Sequence, residues 1–313
     1  MPNRPTLTLA HSADADDVFM WWPITGKVNP ADPARRIAPP AIDTGRFDYR
    51  ALPEDIQALN TRALTVGDLD VTAVSMAAYP HLHERYGLTA WGSSFGEGYG
   101  PKLVARVDRP EVTLAWLAGA QRAIAVPGLN TSAYLVLSIM LGTGAFRAVP
   151  MRFDEIEHAV ASGRVDAGVL IHESQLTFAK AGLHLLQDLG LWWTGQMKLP
   201  MPLGANAVRR DIDARFGKGA LADVVQTLKR SIDHAIAHRR ESLDYARTFS
   251  PLKTDAELEK YINMYVSPLT VDAGEIGQRA VSTLLARAAA LGLCPAIGDV
   301  VMLRSENASG HLA

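Results

Sequence analysis

The stretch Asp166-Ala-Gly-Val-Leu-Ile-His172-Glu-Ser-Gln-Leu-Thr-Phe178 decides how the chain is read. Its apolar run, Ala167 to Ile171, has the length and composition of a buried strand. The run ends on a histidine, an acid and a serine. Open α/β sheets bind their ligands outside the carboxyl ends of their strands, so polar groups at this end point to a site. A histidine at a strand end is also commonly a hydrogen-bonded cap, and position alone does not separate the two roles for His172. Its neighbours do.

Upstream, Arg122 to Val126 reads as a strand, Pro127-Gly-Leu-Asn130 as a turn, and Thr131-Ser-Ala-Tyr-Leu as the start of an apolar helix. Such a start presents free N–H groups, hydroxyls and about half a positive charge of helix dipole, which suits a carboxylate. Ordinary Thr/Ser capping uses the same residues. Phe146 to Met151 is the next strand, and Phe153 to Ala161 a helix closed by Ser162-Gly163. Beyond His172, Leu183 to Asp188 is a further strand, and Met201 to Val208 returns toward the first part of the chain.

The first part alternates in the same way. Thr6 to Ser12 is a strand, followed by Asp14-Ala-Asp-Asp17, whose acids suit the cap and first turn of a helix ended by Pro23. His11, Asp14, Asp16 and Asp17 could form a metal cluster, but helix capping is favoured because no second ligand group has suitable spacing. Asn29 to Pro40 holds four prolines and reads as a surface excursion. Pro53 to Leu64, which contains Asn60, is a helix, and Leu69 to Ser75 a strand with a polar end. Ala77 to Tyr86 reads as a helix on which His81 and His83 do not share a face. Gly96-Glu-Gly-Tyr-Gly-Pro101 is a turn that lacks the Lys-Ser/Thr pair of a phosphate loop. Leu103 to Val107 is another strand and the expected crossing. After residue 206 the chain is helical near 221–236, 255–266 and 274–291, and Ser305 to Ala313 reads as a loose tail. One α/β pattern interrupted by another predicts two lobes: residues 1–107 with 206–313, and residues 108–205 inserted between them.

At 313 residues the chain can bury two cores, and its net charge of −2 gives no reason to expect nucleic acid or an anionic membrane. The single cysteine, Cys294, excludes an intramolecular disulfide and a multi-cysteine metal site. The longest uncharged segment, Ala123 to Phe146, is broken by a Pro-Gly turn and is not a membrane span. No signal-peptide pattern opens the sequence, which predicts a cytoplasmic protein.

Six motifs carry a resemblance: Ser75-x-x-Ala-Tyr-Pro, Gly98-x-Gly-Pro, Val126-Pro-Gly-x-x-Thr-Ser-Ala-Tyr134, Asp166-Ala-Gly-x-x-Ile-His-Glu-Ser174, Asp188-Leu-Gly-x-Trp-Trp193 and Leu199-Pro-x-Pro-Leu-Gly204. In this order, over nearly the whole chain, the sequence resembles the 1,4-dihydroxy-6-naphthoate synthase family of the futalosine route to menaquinone. The resemblance implies an α/β, type II periplasmic-binding-protein-like fold with the ligand cleft between two lobes. It implies a carbon–carbon lyase acting on cyclic de-hypoxanthine futalosine, a small carboxylate, without metal or cofactor. Carried over by motif, His172 matches the proposed general base. Ser132 and Ala133, in the turn opened by Thr131, match the donors to the substrate carboxylate. Ser75 and Asn60 match polar residues of the first lobe. A non-catalytic receptor for a small carboxylate and a chorismate dehydratase-like sister enzyme are the alternatives. Two stretches depart from the family: Ser12-Ala-Asp-Ala-Asp-Asp17 stands where it usually has Ser-Pro-Cys-Pro-Asn-Asp, and Trp21 to Asp48 is longer and richer in proline. Both are expected to border the cleft entrance.

Overall fold

The computed structural model describes residues 4–119 and 121–308. Two sheets organise them. The first runs in the order Asp48–Glu54, Thr6–Ser12, Val71–Ser75, Met201–Arg209, Tyr86–Leu88, with Ser94–Gly96 paired to the start of Met201–Arg209. The second runs Arg147–Pro150, Ala123–Val126, Ala167–Leu170, Lys102–Arg106, Leu183–Asp188. Each begins with three parallel strands. Each then takes, antiparallel, a strand that has crossed from the other sheet: Met201–Arg209 in the first, Lys102–Arg106 in the second. The protein is therefore two-lobed α/β.

The crossings fall earlier than the expected boundaries at 107/108 and 205/206. Lys102–Arg106 belongs wholly to the second sheet, where Leu103, Val104 and Ala105 are fully buried and Lys102 pairs with the carboxylate of Asp188. Met201–Arg209 likewise pairs from its first residue with the first sheet. An apolar run announces a strand but not the sheet it will join, since that depends on distant partners.

The glycine-rich turn has a packing role. A Cβ on Gly190 would stand 1.9 Å from the Tyr99 carbonyl oxygen, and one on Gly96 2.0 Å from the same atom. The Leu189 N–H donates to the Pro101 carbonyl at 2.9 Å. The two crossing segments thus meet backbone to backbone, and glycine is what permits the approach.

The helix Ala15–Thr25 is buried along its whole length beneath Ala220–Ala237, with the Trp22 indole donating to Ser242 Oγ at 2.9 Å. Pro23 does not end it. The helix continues two residues to Gly26, whose φ of 76° closes it, because a proline in the last turn removes only one terminal hydrogen bond. The proline-rich excursion contains a hairpin, Lys27–Asn29 with Asp32–Ala38. The edge strand Asp48–Glu54 gave no clear apolar signal and was not expected. Asp55 caps the next helix, Ile56–Thr65, by accepting from the Ala58 N–H at 3.0 Å. Instead of a helix over 77–86 there is one short 3₁₀ turn, Tyr79–His81, and then a strand. The carboxyl-terminal stretch is tied down as far as it is described: Ala90 N–H donates to the Leu303 carbonyl at 3.0 Å and Ala308 is buried. The remainder of that expected tail, 309–313, and the first three residues lie outside the described residues.

Candidate active site

Four parallel strands end at one cavity between the sheets: Thr6–Ser12, Val71–Ser75, Ala123–Val126 and Ala167–Leu170. This is the ligand position expected for open α/β sheets. His172 follows the last of these strands with φ at 54°, a left-handed conformation uncommon for a side-chain-bearing residue and costly by about 1–3 kcal/mol. Its Nδ1 lies 2.5 Å from Oδ2 of Asp14, which comes from the first lobe. The same oxygen accepts from the Tyr261 hydroxyl at 3.1 Å, and the Phe153 ring meets the imidazole edge-on at 4.6 Å. With Nδ1 occupied, Nε2 is the nitrogen available to a ligand.

The expectation that Asp14 caps its helix is corrected here. It stands at the N-cap position with extended backbone, but its side chain makes no capping bond and turns to His172 instead. The departure at Ala13–Asp17 is therefore inside the cavity, which Asp14, Asp16 and Asp17 line, and not at its mouth. The longer segment 21–48 contributes nothing to the cavity wall.

Burial pulls the His172 pKa down, but the charge and hydrogen bond of Asp14 outweigh it and hold the imidazole proton up to about 9. Burial pushes Asp14 up, and the His172 cation more than reverses this, so Asp14 stays ionised. Asp16 is raised well above the carboxylate range by burial and by the charges of Asp14 and Asp17. Asp17 is raised to about 7 by burial and Asp14, although Ser12 N–H donates to it at 2.7 Å. Glu173 is raised by burial, then by Asp14. The closest opposite charges in the cavity are thus the His172 imidazolium and the Asp14 carboxylate. Asp14 Oδ1, Asp16 Oδ1, Gln175 Oε1 and Asn206 Oδ1, all from residues lining the cavity, have no partner among the described residues.

This ion pair makes a stability prediction. A histidine whose pKa is raised on folding contributes stability that is complete below its unfolded value near 6.5 and lost as pH rises through about 9. Asp17, raised to about 7, acts in the same direction between its unfolded 3.8 and that value. The melting temperature of the ligand-free protein is therefore expected to fall between pH 6.5 and 9. A flat profile over that interval in scanning calorimetry would contradict the pairing.

Opposite His172, the helix Ser132–Leu141 points its start into the cavity. Thr131 caps it by accepting from Tyr134 N–H, and its hydroxyl donates to the Gly128 carbonyl at 2.7 Å. The Ser132 hydroxyl donates to the Leu203 carbonyl across the cleft. The N–H groups of Ser132 and Ala133 have no partner among the described residues, as the first turn of a helix requires. Ser75 lines the cavity. Asn60 does not: it is fully buried, holding Ser75 through Nδ2 to Oγ and Ser75 N–H to Oδ1, both 2.9 Å, and reaching the Asn130 carbonyl at 3.3 Å. Its place is behind the wall, because both ends of its amide are already used. Among the described residues, no three His, Cys, Asp or Glu side chains group as a metal site. Sequence reading missed Asp14, Asp16, Gln175 and Tyr261. For Asp14 the signal was the string of first-turn acids, which capping explained too readily.

Fold and cleft define a protein of the periplasmic-binding-protein type. The structure is similar to the ligand-binding component of an ABC-type import system from Staphylococcus aureus (TM-score 0.67, 13% identity, 96% of this chain and 97% of that one). It is also similar to an alkanesulfonate-binding protein from Xanthomonas axonopodis pv. citri (TM-score 0.64, 16% identity, 96% and 98%). The family is narrower than the fold. Residues 7–290 match the family model for menaquinone biosynthesis. The 1,4-dihydroxy-6-naphtoate synthase of Thermus thermophilus is 40% identical over 240 residues, covering 77% of this chain and 83% of that one. The Streptomyces coelicolor enzyme of the same name is 35% identical over 299 residues, covering 94% and 96%. A crystal structure of an Archaeoglobus fulgidus protein is 35% identical with a TM-score of 0.77, covering 92% and 98%. The chain belongs to the menaquinone biosynthesis family and is an enzyme.

Proposed function

We propose that this enzyme is a carbon–carbon lyase converting cyclic de-hypoxanthine futalosine to 1,4-dihydroxy-6-naphthoate in the cytoplasm, with His172 as general base. One observation carries the reading: an imidazole with Nε2 available and a helix start with two free N–H groups share one cavity. The helix start anchors the substrate carboxylate, which fixes the rest of the molecule relative to His172. The base then removes a proton beside a carbonyl, and the electron pair left on the substrate drives the bond cleavage. The working pKa differs from that of ordinary imidazole. Asp14 holds the proton on His172 to about 9, so the base form grows as pH rises toward that value. The deciding experiment incubates purified protein with the futalosine-derived substrate and follows the naphthoate by chromatography. Tight binding without product would leave a receptor for a small carboxylate.

The anchor has its own test. Ser132→Pro deletes the Ser132 N–H while keeping the helix start, since proline suits the first helical position and Thr131 is already extended at ψ 147°. Affinity for the substrate carboxylate is expected to fall by about 1–3 kcal/mol, the cost of a lost charge-assisted bond. Ser132→Ala keeps that N–H and gives up only the bond to Leu203, so its effect on affinity is smaller. Equal affinities for wild type and the proline variant in calorimetry would refute the anchor.

A further inference from the structure

We propose that Asp14 is the positioning residue of His172: it reaches from the first lobe to Nδ1, presents Nε2 to the ligand as the working nitrogen, and balances the charge the imidazole gains. The proposal rests on the reading of His172 as general base. Four observations support it. Asp14 occupies an N-cap position, where an aspartate side chain usually accepts from the first turn, yet it forgoes that bond. Its Oδ2 takes two donors from two other elements, the His172 ring at 2.5 Å and the Tyr261 hydroxyl at 3.1 Å, so its direction is fixed from two sides. His172 in turn holds a left-handed backbone. Both side chains are about nine-tenths buried, 12% exposed for His172 and 8% for Asp14, so little water competes for the contact.

The consequences follow from the donor inventory of imidazole. In the neutral ring, a carboxylate on Nδ1 selects the tautomer with its proton there, and Nε2 keeps the lone pair. When a substrate C–H bond breaks, the proton goes to Nε2 and the electron pair stays on the substrate. The resulting imidazolium faces a carboxylate that remains ionised, so no proton passes to Asp14. The other charged and titratable groups around the pair are Glu173 on the ring's own segment, Asp55 at the start of Ile56–Thr65, Asp16 and Asp17 on the helix Ala15–Thr25, Tyr261, and the buried His11 of Thr6–Ser12, which feels the Asp14 charge. Burial and the neighbouring charges of Asp14 and Asp17 raise Asp16 well above the carboxylate range, so it tends to keep its own proton beside the pair.

The test reads the imidazole with and without turnover. Histidine-labelled wild type, Asp14→Asn and Asp14→Ser are titrated by NMR, with His172→Gln assigning the signal. The serine variant guards against misfolding, since serine is a favoured N-cap residue at this position. In wild type His172 is expected to keep its proton to about pH 9. In both variants it should titrate clearly lower, because burial is then opposed only by the more weakly acting Glu173 and Asp55. The acid limb of kcat/KM should move by the same amount, and the plateau kcat should fall about a hundredfold with KM nearly unchanged, as for a base that has lost its orienting partner. A His172 titration that is the same in wild type and both variants overturns the proposal. If the titration shifts as expected but wild type makes no naphthoate, the lyase reading fails and the Asp14–His172 pairing stands.

Discussion

His172→Asn is expected to lower turnover of the futalosine-derived substrate by about a hundredfold or more while leaving most of the binding affinity intact. The choice of asparagine follows from the backbone. Position 172 has φ at 54°, a region that asparagine tolerates better than most side chains, so the strand end and the segment behind it should keep their shape. The proposed carboxylate anchor at Ser132 and Ala133 lies on another element and is untouched. What disappears is the ring nitrogen that, on the proposed mechanism, receives the proton. The variant also leaves Asp14 buried without a cation, so its carboxyl should take up a proton at a higher pH than in wild type, with some loss of stability. Steady-state rates beside calorimetric affinities check both halves. A variant that turns over at the wild-type rate would remove His172 from the chemistry.

Gly190→Ala should be among the most destabilising single-methyl changes in the protein. The added carbon would stand 1.9 Å from the Tyr99 carbonyl oxygen and 2.6 Å from the Gly100 nitrogen, both backbone atoms that no rotamer change can move aside. Overpacking of this kind costs about 1–3 kcal/mol where neighbours can shift, and here the neighbours are the other interlobe crossing. A loss of about 3 kcal/mol is therefore expected, read as a lower denaturant midpoint at unchanged slope. Activity should fall as well, since the crossing segments set how the two walls of the cavity face each other. An unchanged midpoint would mean that the crossings do not pack as tightly as these distances require.

The motifs Gly98-x-Gly-Pro and Asp188-Leu-Gly illustrate what could be read in advance. The glycines of the first announced a turn, which is local information, while Gly190 of the second lies in the first turn of the helix Leu189–Met197. That the turn and the start of this helix lie against each other depends on how both sheets are placed, and no spacing along the chain encodes it. The strand Lys102–Arg106 teaches the same lesson: its apolar residues were legible, its sheet was not.

Local rules of the sequence determined the alternation of strands and helices, the histidine at the end of a buried strand and the uncapped N–H groups after Thr131. These are properties of periodicity, capping and helix ends, which act over a few residues. Tertiary structure alone decided the company His172 keeps. Asp14 has the right chemistry for a helix cap and the right position for one, and local reasoning assigns it that role. In the folded protein an imidazole 2.5 Å away offers a stronger, charge-assisted partner, and the tyrosine at 261 holds the carboxylate toward it. A buried charge takes the best counter-charge within reach, and only the fold determines what is within reach.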